Sequence, residues 1–189
     1  MNIRVEMLEQ ISADDVRRLI VGYGSAQRYD VQWTESYRQT SFTLDLVDLP
    51  QPFVKHWSHE HLTGWYSGLL SEGLSFGAWD SERLVGIAIT ERRQWNDEAM
   101  VWELHVEEAS RGKGIGRRLL AAVEKAARLV NVRAVVLETQ TPNVSAIAFY
   151  RACGYSMQGI DLSFYANTDL ERGEVAVFMK KALGSRTAR

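Results

Sequence analysis

With 189 residues the chain has room for one domain with a full core and not for two comfortable ones. A formal net charge of −2 argues against non-specific nucleic-acid binding, which needs a basic face, and 46% hydrophobic content is ordinary for a globular protein. No run of about eighteen apolar residues is there to span a membrane, no apolar core of a signal peptide follows Met1, and the lone Cys153 forbids an internal disulfide, all of which predicts a cytoplasmic protein.

Along the chain, Ile3 to Leu8 alternates as a first strand. Ser12-Ala13-Asp14-Asp15 caps a helix with Val16, Leu19 and Ile20 on one face, and Gly22 and Gly24 are expected to end it. Thr40 to Val47 alternates as a strand that Pro50 and Pro52 should break. Ser58 to Leu70 reads as a helix weakened by Gly64 and Gly68. The pattern His56-x-x-His59-x-His61 has only Glu60 beside it and no cysteine, so no metal is expected. Trp57, Trp65 and Tyr66 read as core, or as a wall of an acceptor cleft. Ser75 to Trp79 and Leu84 to Arg92 form a hairpin about Asp80-Ser81-Glu82-Arg83. Trp95-Asn96-Asp97 then turns into a central strand, Met100 to Val106. Strand parity puts Glu103 and His105 on one face and Trp102, Leu104 and Val106 on the other.

The next stretch, Arg111-Gly112-Lys113-Gly114-Ile115-Gly116, follows that strand and opens a helix running through Arg117 to Ala127. Glycines at a strand-to-helix turn leave backbone N–H groups unpaired and outward-facing, and the helix N-terminus adds partial positive charge. Together they make an anion seat suited to a pyrophosphate. The spacing excludes a P-loop, because Gly116 is followed by Arg117-Arg118, and it does not match the dinucleotide-binding fingerprint. Beyond it come a strand, Val135 to Gln140, then Pro142-Asn143, and a helix from Val144 capped by Gly154. Asp161 to Ala166 and Glu174 to Met179 are expected to pair as a last hairpin across Asn167 to Gly173. The basic end, Lys180-Lys181 with Arg186 and Arg189, reads as a solvated, frayed terminus. The element order predicts an α/β fold with a mixed sheet and helices on both faces. One domain is expected over residues 1–183, with a tail over 184–189.

Arg-x-x-Gly-x-Gly after a strand resembles the pyrophosphate loop of the GNAT acyltransferases. A second segment, Asn143, Ala146, Phe149 and Tyr150 followed by Gly154-Tyr155, resembles the other signature of that superfamily. Trp95-Asn96, Leu137-Glu138, Gly159-Ile160-Asp161, Tyr165 and Glu174 to Met179 are similar to the streptothricin acetyltransferases, which acetylate an amine on the β-lysine part of an antibiotic. Those enzymes tend to carry two adjacent acidic residues on the central strand, where this chain has Trp102-Glu103.

The resemblance implies a mostly antiparallel GNAT sheet and acetyl-coenzyme A as co-substrate, with no metal. Arg111, Gly112, Lys113, Gly114, Ile115 and Gly116 would hold the pyrophosphate. The backbone of Leu104, His105 and Val106 would hold the pantetheine arm and the thioester oxygen, with Asn143, Ala146, Phe149 and Tyr150 completing the cofactor contacts. Asn143 is alternatively a plain helix cap. Tyr150 stands where these enzymes place the acid that meets the departing thiolate. A lysine-like amine is protonated at neutral pH, so a proton acceptor is also needed, with Glu103 first and Glu138 second in line. Glu103, Glu138, Asp161 and Tyr165 would surround a cationic small-molecule acceptor. Cys153 matches a small or apolar position of the motif and reads as packing. Other readings stay open: a polyamine, an amino acid or a protein N-terminus as acceptor, or a non-catalytic acyl-coenzyme A-binding module. By analogy a homodimer through the last hairpin is expected, with neither nucleic acid nor membrane as partner.

Overall fold

The structure, a computed structural model, describes residues 3–57 and 62–184. It divides into two compact units, one with residues up to Val21, Trp57–Leu137 and 180 onward, the other with Gly22–His56 and Glu138–Met179.

In the first unit, β1 (Ile3–Met7), β4 (Phe76–Asp80), β5 (Arg83–Arg93), β6 (Glu98–Val106) and the start of β7 (Ala134–Gln140) lie side by side in that order. The pairings are antiparallel except β6 with β7, which is parallel. Alternation along β5 decides which helix lies on which face. Ile87 and Ile89 are buried with Val16 and Leu19 of α1 (Ala13–Leu19) and with Tyr66, Leu69 and Leu70 of α2 (Leu62–Leu70). Gly86, out of phase with them, faces α3 (Ile115–Leu129): a Cβ there would lie 3.2 Å from Leu119 and 3.1 Å from the His105 carbonyl. The helix buries Ile115, Leu119, Leu120, Val123 and Ala127 at helical spacing, and each large aliphatic side chain contributes roughly 2 kcal/mol. The sheet is thus mixed, mostly antiparallel and covered by helices on both faces, as the sequence predicts.

The predicted cap of α1 is present. Ser12 Oγ accepts from the Asp15 N–H at 3.0 Å and donates to the Asp15 carboxylate at 2.7 Å, a cap worth about 1 kcal/mol. The basic end departs from expectation, because Lys180 and Lys181 are not frayed. Both lie in β9 (Ala176–Ala182), where Lys180 bonds buried Glu98 and Lys181 bonds Glu124 at 2.8 Å. Arg133 reaches the same Glu98 at 2.6 Å. Arg186 and Arg189 fall outside the described residues.

The second unit holds a two-stranded antiparallel ribbon, β2 (Tyr23–Glu35) with β3 (Thr40–Lys55). It also holds the end of β7, followed in sheet order by β9 and β8 (Ser156–Asp161), with α4 (Val144–Ala152) and α5 (Asp169–Arg172). Three expectations fail here. Gly24 does not end α1, which stops at Leu19; it lies within β2, a strand whose mixed pattern gave no clear alternation. Pro50 and Pro52 do not break β3. The register jumps from Gln27 opposite Asp48 to Ser25 opposite Phe53, so residues 49–52 form a bulge where a proline forfeits no ladder hydrogen bond. The strand predicted at Asp161 to Ala166 lies earlier, over Ser156–Asp161, and the Asp161 carboxylate, accepting from the Ser163 N–H at 3.0 Å, turns the chain away.

The predicted cap of α4 is a paired closure. Gly154, at φ 89, donates to the Arg151 carbonyl, and Tyr155 donates to the Tyr150 carbonyl, both at 3.0 Å. Among the described residues no helix is long and apolar enough to cross a membrane.

Candidate active site

The approach to the glycine loop is pinned by charge. Glu107 accepts from Arg18 at 3.0 Å and from Arg83, and chiefly the Arg83 bond, with Arg18 adding to it, holds its carboxyl below the usual range. Arg111 Nε donates back to the Val106 carbonyl at 3.1 Å and Lys113 Nζ to the Ala109 carbonyl at 2.8 Å. Gly112 and Gly114 take left-handed φ values of 74 and 77, and a Cβ built at either would meet nothing within 4 Å. α3 has no side-chain cap, and Arg118, donating to the Gly114 carbonyl at 3.1 Å, begins its ladder. The amides of Ile115, Gly116 and Arg117 therefore precede any intrahelical acceptor. Outward amides, open space and the positive helix end are what a pyrophosphate requires.

Above the loop, β6 changes partners along its length. Its pairing with β7 covers Glu98 to Val101, whereas its ladder with β5 continues to Val106. Leu104, His105 and Val106 thus lie beyond the β7 pairing, on an edge that can take an extended arm.

Here the parity expectation is half right. Glu103 Oε2 and His105 Nε2 lie 2.7 Å apart, on one face as predicted. Trp102 does not lie on the opposite face. β5 passes from Ile89, opposite Glu103, to Thr90, opposite Val101, leaving Trp102 as an extra residue in a β-bulge. Consequently both neighbours meet α2: Trp65 packs edge-on against Trp102 at 5.3 Å, and Tyr66 donates to Glu103 Oε1 at 2.7 Å. Trp102 also donates from Nε1 to Glu91 at 2.8 Å and carries the Arg93 guanidinium 5.2 Å over its ring. Tyr66 is fully buried, and burial first, then the adjacent Glu103 charge, push its phenol far above the usual tyrosine range. It is a permanent donor. Of the three aromatic residues read as core, Tyr66 thus serves the core and the carboxylate together. His59 and His61 fall outside the described residues.

In the second unit Tyr150 is 8% exposed on α4, with the Phe149 ring 5.4 Å and the Tyr155 ring 6.4 Å from its own. Asn143 caps this helix, its side-chain oxygen accepting from the Ala146 N–H at 3.4 Å. Cys153 is buried. Around Glu138 runs a directed chain of hydrogen bonds. Tyr23 donates to Gln140 Oε1 at 3.3 Å, Gln140 Nε2 donates to the Tyr165 hydroxyl at 2.9 Å, and Tyr165 donates to Glu138. Beside it Lys55 bonds Glu174 and stands 5.7 Å from the centre of the Tyr165 ring. Withdrawal from water and then the Glu138 charge drive the Tyr165 phenol upward; for Tyr23 the causes are burial, Glu174 and Glu138. Glu138 and Tyr165 therefore come together as predicted, while Asp161 is committed to its own turn. Gln140, Tyr23, Lys55 and Glu174 went unread as site residues. Only Gln140 had a signal, two residues from Glu138 and so on the same face of β7.

Comparison with known proteins fits this geometry. Residues 40–155 match the acetyltransferase (GNAT) family. The chain belongs to that family. Among relatives of this GNAT chain, the streptothricin acetyltransferase of Escherichia coli is 35% identical over 103 residues, which cover 54% of the chain and 59% of the relative. The streptothricin acetyltransferase of Streptomyces lavendulae is 34% identical over 96 residues, covering 51% and 50%. The GNAT chain thus spans little more than half the length of the curated relatives it matches. In fold it is similar to a Bacillus anthracis protein solved in complex with acetyl coenzyme A, with a TM-score of 0.76 and 24% identity over 96% of this chain and 99% of the other.

Proposed function

We propose that this GNAT protein moves an acetyl group from acetyl-coenzyme A to a primary amine of a small cationic acceptor of the streptothricin type, an activity that would confer resistance. The observation that carries the reading is the loop of Gly112 and Gly114, left-handed and open, running into the uncapped start of α3. Supporting it are the free reach of β6 past its pairing with β7 and the full Asn143 to Tyr155 motif.

In this reading Arg111 to Gly116 hold the pyrophosphate by backbone amides. Leu104, His105 and Val106 hold the arm and the thioester oxygen, and Asn143, Ala146 and Phe149 line it. Tyr150 delivers a proton to the departing sulfur. Glu138 and Tyr165 draw in the cationic acceptor, and Glu103 belongs to the group that removes the amine proton. Acetylation cancels one positive charge on the acceptor.

Trp102, standing where the streptothricin enzymes tend to carry an acid, favours a second acceptor class: amines with a flat or apolar flank that stacks on Trp102 and Trp65. The test is release of coenzyme A thiol from acetyl-coenzyme A with streptothricin beside polyamines, aminoglycosides, amino acids and short peptides. Release with streptothricin far above the rest is expected. Release with another amine alone would move the substrate and keep the chemistry. Silence toward all, with acetyl-coenzyme A bound, would make the protein a binding module.

A further inference from the structure

The Glu103 carboxylate is occupied at both ends. Oε1 accepts from the Tyr66 hydroxyl and Oε2 lies against His105 Nε2, each at 2.7 Å. A carboxylate so held has little left for a substrate proton. It has, however, the geometry of an orienter: an oxygen fixed by a permanent donor, facing an imidazole nitrogen. With Nε2 carrying its hydrogen toward Glu103, the lone pair of His105 falls on Nδ1. Neither side chain is sealed off, Glu103 being 18% and His105 21% exposed.

We propose that His105, oriented by Glu103 and Tyr66, is the proton acceptor for the attacking amine, directly or through one water, and that Glu103 is a positioning residue. This rests on the acetyltransferase reading above. Of the two protons the ammonium nitrogen loses, the first goes to His105 Nδ1 and then to solvent. The neutral amine forms the C–N bond, the C–S bond breaks, and the thiolate takes a proton from Tyr150, which the second nitrogen proton replaces. The groups around His105 favour this direction. Glu103 stabilises the imidazolium, Tyr66 contributes no charge, and Ile87 is the residue opposite on β5. Further along β5 and in phase with Ile87, Glu91 and Arg93 lie 3.7 Å from each other and flank Trp102, while Arg92 is out of phase with them.

The first test needs no substrate. The chain has four histidines, and nitrogen NMR of His105 should show the Nε2–H tautomer; the Nδ1–H tautomer overturns the proposal. The second is the pH profile of kcat/KM for thiol release. H105N should lose roughly 100-fold in kcat or more, hold its KM for acetyl-coenzyme A, and recover in added imidazole as H105G. E103Q should keep measurable activity and move the acidic limb of the profile to lower pH, because imidazolium has lost its carboxylate. Abolition by E103Q, with H105N keeping the wild-type profile, would make Glu103 the base and overturn the proposal alone. A wild type silent toward every amine would overturn the acetyltransferase reading as well.

Discussion

Glu103 and Glu138, one in each unit, both accept a hydrogen bond from a tyrosine whose phenol is pushed upward, and their other partners set them apart. Glu103 faces an imidazole, which can take and release a proton. Glu138 has the Gln140 amide, 3.5 Å away, which cannot. A neutral phenol fixes the direction of a carboxylate without cancelling its charge, as an arginine does at Glu107. The same device therefore supports the two roles proposed above, orientation of a proton acceptor by Glu103 and attraction of a cationic acceptor by Glu138.

The largest effect should come from reversing the charge of Glu138. Glu138→Lys should raise the KM for a cationic acceptor by about 100-fold, the order expected of opposed charges about 5 Å apart in a half-solvated site. The KM for acetyl-coenzyme A should hold. An equal loss for neutral and cationic amines in steady-state assays would erase the distinction between the glutamates. Next is Tyr66→Phe, which leaves an oxygen of Glu103 without its donor. The cost should be about 1–2 kcal/mol, read by calorimetry as a Tm lower by roughly 4 °C. Tyr165→Phe, at a side chain 37% exposed, should lower Tm by less than half as much. Similar losses would make the two tyrosines equivalent.

The smallest effect concerns alkaline pH. Tyr66, Tyr165 and Tyr23 have folded-state values raised above the ordinary 10.0. Their contribution to stability is complete below that value and declines as pH rises past it, because the unfolded phenols ionise first. Of the seven tyrosines, these three should resist ionisation at about pH 11 until unfolding, followed by absorbance near 295 nm. Ionisation of all seven in one reversible step in the folded protein would remove the permanent donors from both clusters.

What the sequence made legible was local. The glycine loop could be read because left-handed turns and uncapped helix starts are written in neighbouring residues. The cap of α4 was readable for the same reason. The partners of Glu103 and Glu138 were less so: Tyr66 lies 37 residues from Glu103, and Tyr165 lies 27 from Glu138. Tyr165 was reached through the family resemblance and Tyr66 only as core or cleft wall, whereas nothing in the pattern made Tyr23 or Glu174 a partner of Glu138 or its neighbours. The ribbon failed for another reason. Pro50 and Pro52 break strands in general, but four residues facing one on the partner strand leave the ladder nothing to lose.

The bulge at Trp102 carries a consequence of its own. Val101 and Glu103, which strict alternation would put on one face, face opposite ways because one extra residue lies between them. Deleting Trp102 would close the bulge, with Val101 still opposite Thr90 and Glu103 still opposite Ile89, so Glu103 and His105 would keep their face and lose one neighbour. The bulge thus gives two neighbouring side chains, Trp102 and Glu103, to the face that meets α2, where a regular strand would give one.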